Sequence, residues 1–393
     1  MKILIVGAGL GGLTAALCLS RSGHQVCILE QATEFKEVGA GIQCGANALQ
    51  VFEHLDLLHK LAPFAVAPRQ VEFKDYMSGK VLYQMPLGNT YKDRFQHPYW
   101  NLHRADVLSI LIEAVNASPH IEVHFDTQFA SYQQSNEKVI AKTSKGNFDG
   151  ELLIGADGIR SQLKQQMLGD RAPRFTGNVA WRAVIDTSKL PTDWMPTIVS
   201  NFVGPKKHAV LYYLRAKQLA NLVAVVENSN WRQDDWMTLA PIQELHKDFA
   251  GWHTTLTDFL NAIESQQCYR WALYDHQPLK SWYNGRAVLL GDAAHASLPF
   301  MAAGGAMAIE DARVLDRALR EHSQLENALA CYQASRLPRT TKIQSLSRKA
   351  GGLYHFESKL MRNAAFAGMR LMAKKNEALL PSYNANTVEL AKL

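Results

Sequence analysis

Cysteine is scarce and unpatterned. The chain has five (Cys18, Cys27, Cys44, Cys268 and Cys331), an odd number with no CxxC pair. That excludes a disulfide framework and a zinc knuckle, and it fits a reducing, cytoplasmic setting. The 14 histidines show no HExxH or comparable ligand spacing, so no metal is expected. An excess of one charge is also lacking. Lys plus Arg is 42 and Asp plus Glu is 36, a balance of +6 with neutral His and no basic block. This argues against a nucleic-acid partner and leaves a weak preference for anionic ligands. No stretch reaches the roughly 18 uninterrupted apolar residues of a membrane span, so stable membrane insertion is not expected. Internal repeats and low-complexity segments are absent.

The 393 residues exceed one ordinary core and suit two or three domains, with a globular mix of 47% hydrophobic and 20% charged residues. Lys2 and the apolar run Ile3–Leu19 imitate a signal peptide, but Gly7, Gly9, Gly11 and Gly12 interrupt the run and no small-residue cleavage site follows. A strand, a turn and a helix explain the same residues better. Residues 2–6 read as a buried strand, Leu13 to Ser22 as a helix stopped at Gly23, and Gln25 to Glu30 as the next strand.

Further on, 45–62 reads as helical, 70–100 as strand-like and 104–117 as helical. Short strands follow at 121–125, 138–143 and Leu152–Ile154. Residues 175–230 are β-rich, 240–265 helical, Ala287–Leu290 a buried strand, and the chain after Ile309 mostly helical. The fold class expected is α/β: a discontinuous Rossmann-like nucleotide domain with an inserted β-rich α+β domain and a C-terminal helical segment.

Three motifs carry chemistry. Gly7-Ala8-Gly9-Leu10-Gly11-Gly12 is a GxGxxG directly after a strand. Gly7 permits the tight turn, Gly9 lets the backbone approach a pyrophosphate, and Gly12 lets helix pack on strand. Glu30, followed by Gln31, stands at the end of the second strand, where a carboxylate accepts from ribose hydroxyls. The competing reading is a ligand-free glycine-rich turn. Gly155-Ala156-Asp157-Gly158 follows the strand Leu152–Ile154, and Gly291-Asp292 follows Ala287–Leu290. Both put an Asp at the carboxyl end of a strand, where open α/β sheets bind ligands. A nicotinamide dehydrogenase has no use for two more such loops, whereas an extended FAD can use both.

GxGxxG, GADG and GD in this order resemble the fingerprints of the group A FAD-dependent aromatic hydroxylases, over nearly the whole chain. The sequence is most similar to the salicylate hydroxylase branch, on Gly39-Ala40-Gly41-Ile42-Gln43, Leu102-His103-Arg104-Ala105-Asp106, Gly204-Pro205-Lys206-Lys207-His208, Leu298-Pro299-Phe300-Met301 and Ala308-Ile309-Glu310-Asp311-Ala312. The resemblance implies FAD, NADH or NADPH as reductant, O2, and a small phenolic substrate of salicylate or hydroxybenzoate type. Hydroxylation would proceed through a flavin C4a-hydroperoxide. The implied FAD-binding domain is 1–70, 97–174 and 275–340. The implied substrate domain is 71–96 and 175–274, with C-terminal helices over 341–393.

The same resemblance implies that Glu30 holds the adenosine ribose and that Arg104 contacts the FAD phosphates or ribityl chain. Asp157 would sit near the pyrophosphate, and Asp292 would hold the ribityl hydroxyls. Ala303-Gly304-Gly305 would offer backbone N–H groups to the flavin pyrimidine edge. Gln43, Pro299 and Phe300 would line the substrate pocket. The chain departs from the family at Ala303, where Gln is frequent. It also carries Gln43 and Phe300 where related pyridine hydroxylases carry His, which weighs against a pyridine substrate.

His208 begins the alternating run His208-Ala209-Val210-Leu211-Tyr212-Tyr213, which puts His208 and Tyr212 on one strand face. A base there would raise the electron density of a phenol, and in related enzymes the matching His sits beside the substrate hydroxyl. The competing reading is a solvent-facing strand histidine. Arg182 reads as a stem packed at the domain junction, and His295 as a capping or packing residue. The basic tail Lys359–Lys375 is expected to bury an apolar stripe against its own domain rather than lie on a membrane. A monomer or homodimer is expected. The rivals are a plain NAD-dependent dehydrogenase and a non-catalytic flavin-binding protein.

Overall fold

The computed structural model describes residues 1–35, 40–169, 172–231, 239–371 and 377–392. Gly39, Lys374 and Lys375, singled out above, lie outside the described residues. A six-stranded sheet runs in the order Tyr283–Asn284, Ala287–Leu289, Leu152–Gly155, Lys2–Val6, Gln25–Leu29, Ile121–His124. All its pairings are parallel except the edge hairpin at Tyr283–Asn284. Ile3, Leu4, Ile5, Leu152, Leu153 and Ile154 are fully buried, as expected for strands covered on both faces. Helices Leu10–Arg21, Arg104–Asn116 and Gly304–Glu321 supply apolar cover.

A second sheet has seven strands, ordered Tyr269–Asp275, Arg174–Asp186, Leu219–Glu227, Lys207–Leu214, Val199–Gly204, Gln70–Asp75, Val81–Pro86. Alternation decides its two faces. Ala209, Leu211 and Tyr213 join the core under helices Ile242–Asp248 and Thr254–Asn261, with Leu245, Phe249 and Phe259. Tyr212 and Leu214 join the opposite cluster, with Phe300, Tyr354 and Phe366. That second face meets the two-stranded ribbon Gly41–Cys44/Trp100–His103 through Gly41 N–H donating to Asn221 Oδ1 at 3.0 Å, and next to the ribbon Arg215 pairs with Asp106 of the helix Arg104–Asn116 at 2.6 Å.

Some elements differ from the sequence reading. The helix expected over 45–62 is two, Ala46–His54 and Leu58–Leu61, because the chain turns at Asp56, whose φ is 60°. Within the strand-like 70–100 lies a helix, Gly88–Phe95. The boundary expected at 340/341 falls inside one helix, Leu325–Tyr354, which runs through Pro338. Arg336 and Arg339 flank that proline and are tied to Asp311 and Glu310. These ties hold the backbone helical where a lone proline removes a hydrogen bond.

The tail forms a helix over Lys359–Leu371. Phe366 is fully buried, 5.4 Å from the Phe73 ring, and Arg362 pairs with Asp75 at 2.8 Å. Its basic residues thus serve partly as internal anchors. Among the described residues no helix is long and apolar enough to cross a membrane. The five cysteines are buried and free.

Candidate functional site

The first βα turn is a tight cradle. Gly7 has φ +99°, and a Cβ there would stand 2.6 Å from Ala156 O. A Cβ at Gly12 would stand 2.1 Å from Gly7 O. Only glycine permits these approaches, which press the GxGxxG turn against the GADG loop. At Gly9 a Cβ would meet nothing within 4 Å, so the space before the helix N-terminus is open.

Glu30 closes the cradle on one side. Its Oε2 accepts from Ala8 N–H at 2.7 Å and its Oε1 from Ala32 N–H at 2.9 Å. Each oxygen keeps a second lone pair for a ribose hydroxyl. Gln31 beside it is exposed. Asp157 Oδ2 accepts from Gln162 and Leu163 N–H. Asp157 Oδ1 is a buried oxygen with no protein partner among the described residues. Burial pushes this carboxyl up, against bonds from Ser161 and the helix amides.

The third loop lies close by. Gly291, at φ +62°, turns the chain into Asp292. A Cβ on Gly304 would stand 3.9 Å from Asp292 Oδ1, and one on Gly305 2.9 Å from Ile42 Cδ1 and 3.1 Å from Leu10 Cδ2. The strand beside Gln43, the start of the first helix, Asp292 and the Ala303-Gly304-Gly305 turn therefore converge. Arg104 opens the Arg104–Asn116 helix, and its N–H donates to Ala40 O at 2.8 Å. The cradle glycines, the open Gly9 approach and the orphan Asp157 oxygen fit an extended dinucleotide such as FAD.

On the facing sheet, Tyr212 is 3% exposed and packs on Gly41, where a Cβ would stand 2.3 Å from its hydroxyl. Burial holds its phenol in the protonated form, pushing its pKa up. His208 is 2% exposed, which overturns the solvent-facing alternative. Its Nδ1 lies 2.8 Å from His355 Nε2, and His355 Nδ1 lies 2.9 Å from Glu227 Oε1. The Phe300 and Tyr354 rings meet the His208 ring edge to face at 5.2 and 5.4 Å. Burial, and then His355, hold the His208 pKa well below that of a free imidazole.

Pro299 and Phe300 form a short turn of helix just before Ala303, so one loop touches both His208 and the dinucleotide cradle. Gln43 faces Asn101 across the ribbon, with Nε2 3.4 Å from Asn101 Oδ1. A cleft of about 410 Å³ opens beside His355 and Glu227, walled by Phe300, Asn178, Arg174 and Arg348; His208 and Tyr212 are outside its walls.

Several residues escaped the sequence reading. His355 and Glu227 lie 147 and 19 residues from His208 along the chain, and no local pattern ties them to it. Lys164, 1% exposed, bonds Ile159 O at 2.8 Å and His276 Nε2 at 2.6 Å, and burial lowers it to about 8. Its signal was a lysine inside the helix that the GADG loop begins. His295 is 1% exposed and lies 2.5 Å from Asp311 Oδ2, so it is a packing residue tied to a buried acid. Arg182 stacks over Trp271 at 4.3 Å.

The FAD binding domain family matches residues 1–347. The chain is 35% identical over 373 residues to a 3-hydroxybenzoate 6-hydroxylase of Polaromonas naphthalenivorans, covering 94% of this chain and 92% of that protein. It is 31% identical to a 6-hydroxynicotinate 3-monooxygenase of Pseudomonas fluorescens, covering 88% and 90%. Klebsiella pneumoniae HpxO, solved with FAD and uric acid, superposes with a TM-score of 0.84 at 27% identity, covering 97% of each chain. A salicylate hydroxylase substrate complex shares the fold with a TM-score of 0.82 at 24% identity, covering 98% and 96%. With its three glycine-bearing strand-end loops and this match along most of its length, the chain belongs to the FAD binding domain family, as a group A FAD-dependent aromatic hydroxylase.

Proposed function

We propose that the chain hydroxylates a small phenol of the hydroxybenzoate class, bound against the strand face that carries His208 and Tyr212, with His208 taking the phenolic proton. The observation that carries this reading is the burial of His208. A 2% exposed imidazole held neutral by its surroundings keeps a lone pair at the one nitrogen that His355 does not engage. Relatives named for 3-hydroxybenzoate support the substrate class.

FAD, when bound, would supply hydride acceptance from NADH or NADPH and activation of O2. The protein's part is different. Gly7, Gly9 and Gly12 leave room for the pyrophosphate, with Arg104 and Asp157 beside it. Glu30 and Gln31 take the adenosine ribose, Asp292 the ribityl chain, and Ala303-Gly304-Gly305 present N–H groups to the ring. Phe300, Pro299, Gln43 and Tyr212 form walls that keep water from the ring and orient it. Removing the phenolic proton would push electron density onto the ortho and para carbons of the ring, which is the protein's own contribution to activating them.

Residues 1–70, 97–174 and 275–340 would then hold FAD and 71–96 and 175–274 the substrate, with 341–393 closing the fold and the helix Leu325–Tyr354 running unbroken from the one into the other. The protein would work in the cytoplasm as a monomer or homodimer. The test is a panel of 3-hydroxybenzoate, salicylate, 6-hydroxynicotinate and urate, scored for stimulated NADH and NADPH oxidation with product identification. A hydroxybenzoate should be turned over to a dihydroxybenzoate. Turnover of urate alone, or of no phenol, contradicts the reading.

A further inference from the structure

His208 takes up a proton in a place that cannot keep it. The ring is 2% exposed, walled by Phe300 and Tyr354, and an imidazolium there lacks both water and an acidic neighbour. Its sole hydrogen-bond contact among the described residues is His355, at 2.8 Å, and His355 in turn contacts Glu227 at 2.9 Å. His355 is 5% exposed, whereas the Glu227 side chain is 44% exposed and lines the 410 Å³ cleft. The three groups thus run from a closed interior to open water.

We propose that His355 and Glu227 are a proton exit for His208, so that the phenolic proton leaves through the cleft rather than past the bound ring. This rests on the reading of His208 as the base.

The bonds balance as follows. The phenol O–H breaks and an N–H forms at His208 Nε2. The His208 Nδ1–H breaks and its proton passes to His355 Nε2. The His355 Nδ1–H breaks and its proton passes to Glu227 Oε1, which releases it to water. The substrate gains one negative charge, the solvent one proton, and no electron moves. When the product oxygen is reprotonated, the same steps run backwards and restore both tautomers.

Neighbouring charges leave the path clear. Lys206 is paired with Glu357 at 3.3 Å, and Arg174 and Arg348 are both paired with Asp275. Tyr354 has its hydroxyl on Phe300 O. Burial lowers both imidazoles, with Glu227 opposing this at His355, so both are neutral and competent to relay near pH 7.

The experiment uses holoenzyme without reductant, mixed rapidly with 3-hydroxybenzoate while phenolate absorbance is followed across pH. Glu227→Gln keeps an acceptor for His355 but takes no proton, and His355→Gln interrupts the chain. Both should retain FAD and bind the phenol, yet form phenolate about 10-fold or more slowly. Added imidazole should restore the rate in His355→Ala. Parent-like rates and pH profiles in both Gln variants, with ionisation lost in His208→Gln, would overturn the exit and leave the base standing. Unchanged ionisation in His208→Gln would remove the base itself and the exit with it.

Discussion

Glu30 spends each carboxylate oxygen on a backbone amide, Ala8 N–H and Ala32 N–H, and so fixes the shape of the cradle that it also helps to line. Replacing it with Ala removes these bonds together with the ribose contact proposed for it. Glu30→Ala should therefore weaken FAD retention by about 1–3 kcal/mol. Flavin absorbance after dialysis measures this, and full occupancy would contradict the role. Asp292 differs because its side chain is exposed and its turn is shaped by Gly291, at φ +62°, and by backbone bonds to Gly291 O. Asp292→Ala should lower flavin content while leaving far-ultraviolet circular dichroism as in the parent.

Among the elements, the helix Gly304–Glu321 joins cradle to core. It begins at the Gly304-Gly305 turn and carries Glu310 and Asp311, both fully buried. Asp311 accepts from Gly291 N–H at 3.0 Å, His295 at 2.5 Å and Arg336 Nε at 2.6 Å. Burial raises this carboxyl, but His295 and Arg336 outweigh it and hold it at about 2. Asp311→Asn would leave the buried Arg336 charge to Glu310 alone, 2.7 Å away, so unfolding stability should fall by about 1.5–3 kcal/mol, read from denaturant midpoints of the holoprotein.

This element also marks the limit of what the sequence discloses. The three strand-end loops are local, each a strand followed at once by glycine, with Asp157 and Asp292 beside two of them and Glu30 at the end of the next strand for the first, and their positions were legible. Tyr212 and His208 shared a face because strand alternation is local too. The ties between His208, His355 and Glu227, and between His295, Asp311 and Arg336, join residues far apart in the chain through tertiary packing. The helix Leu325–Tyr354 runs across the boundary expected at 340/341, held through Pro338 by the ion pairs of Arg336 and Arg339 with residues on another helix.

At the scale of the whole molecule, the buried histidines should set the acid limit. His208 and His355 have pKa values lowered by burial, so near pH 6.5 the unfolded chain binds protons that the folded chain refuses. Stability contributed by these groups is complete above about pH 6.5 and falls as pH drops toward their folded values, by up to about 1.4 kcal/mol per pH unit for each proton. Asp311 does not contribute there, since its stabilisation is complete above 3.8 and is lost from there down to about 2. Melting temperature should therefore be flat from about pH 8 to 7 and decline from about 6.5 to 5. A decline confined to pH below about 4 would assign the acid limit to carboxylates instead.

The central claim joins the two halves of the molecule: flavin held by the parallel sheet, substrate proton taken by the facing one. It is tested most directly by measuring product, hydrogen peroxide and NAD(P)H consumption together in the parent and in His208→Ala. The account predicts unchanged flavin content and continued NAD(P)H oxidation. Hydroxylated product should fall by about 10²-fold, with peroxide replacing it. Unchanged product rate and unchanged coupling would contradict the account and make His208 a strand histidine with no part in the chemistry.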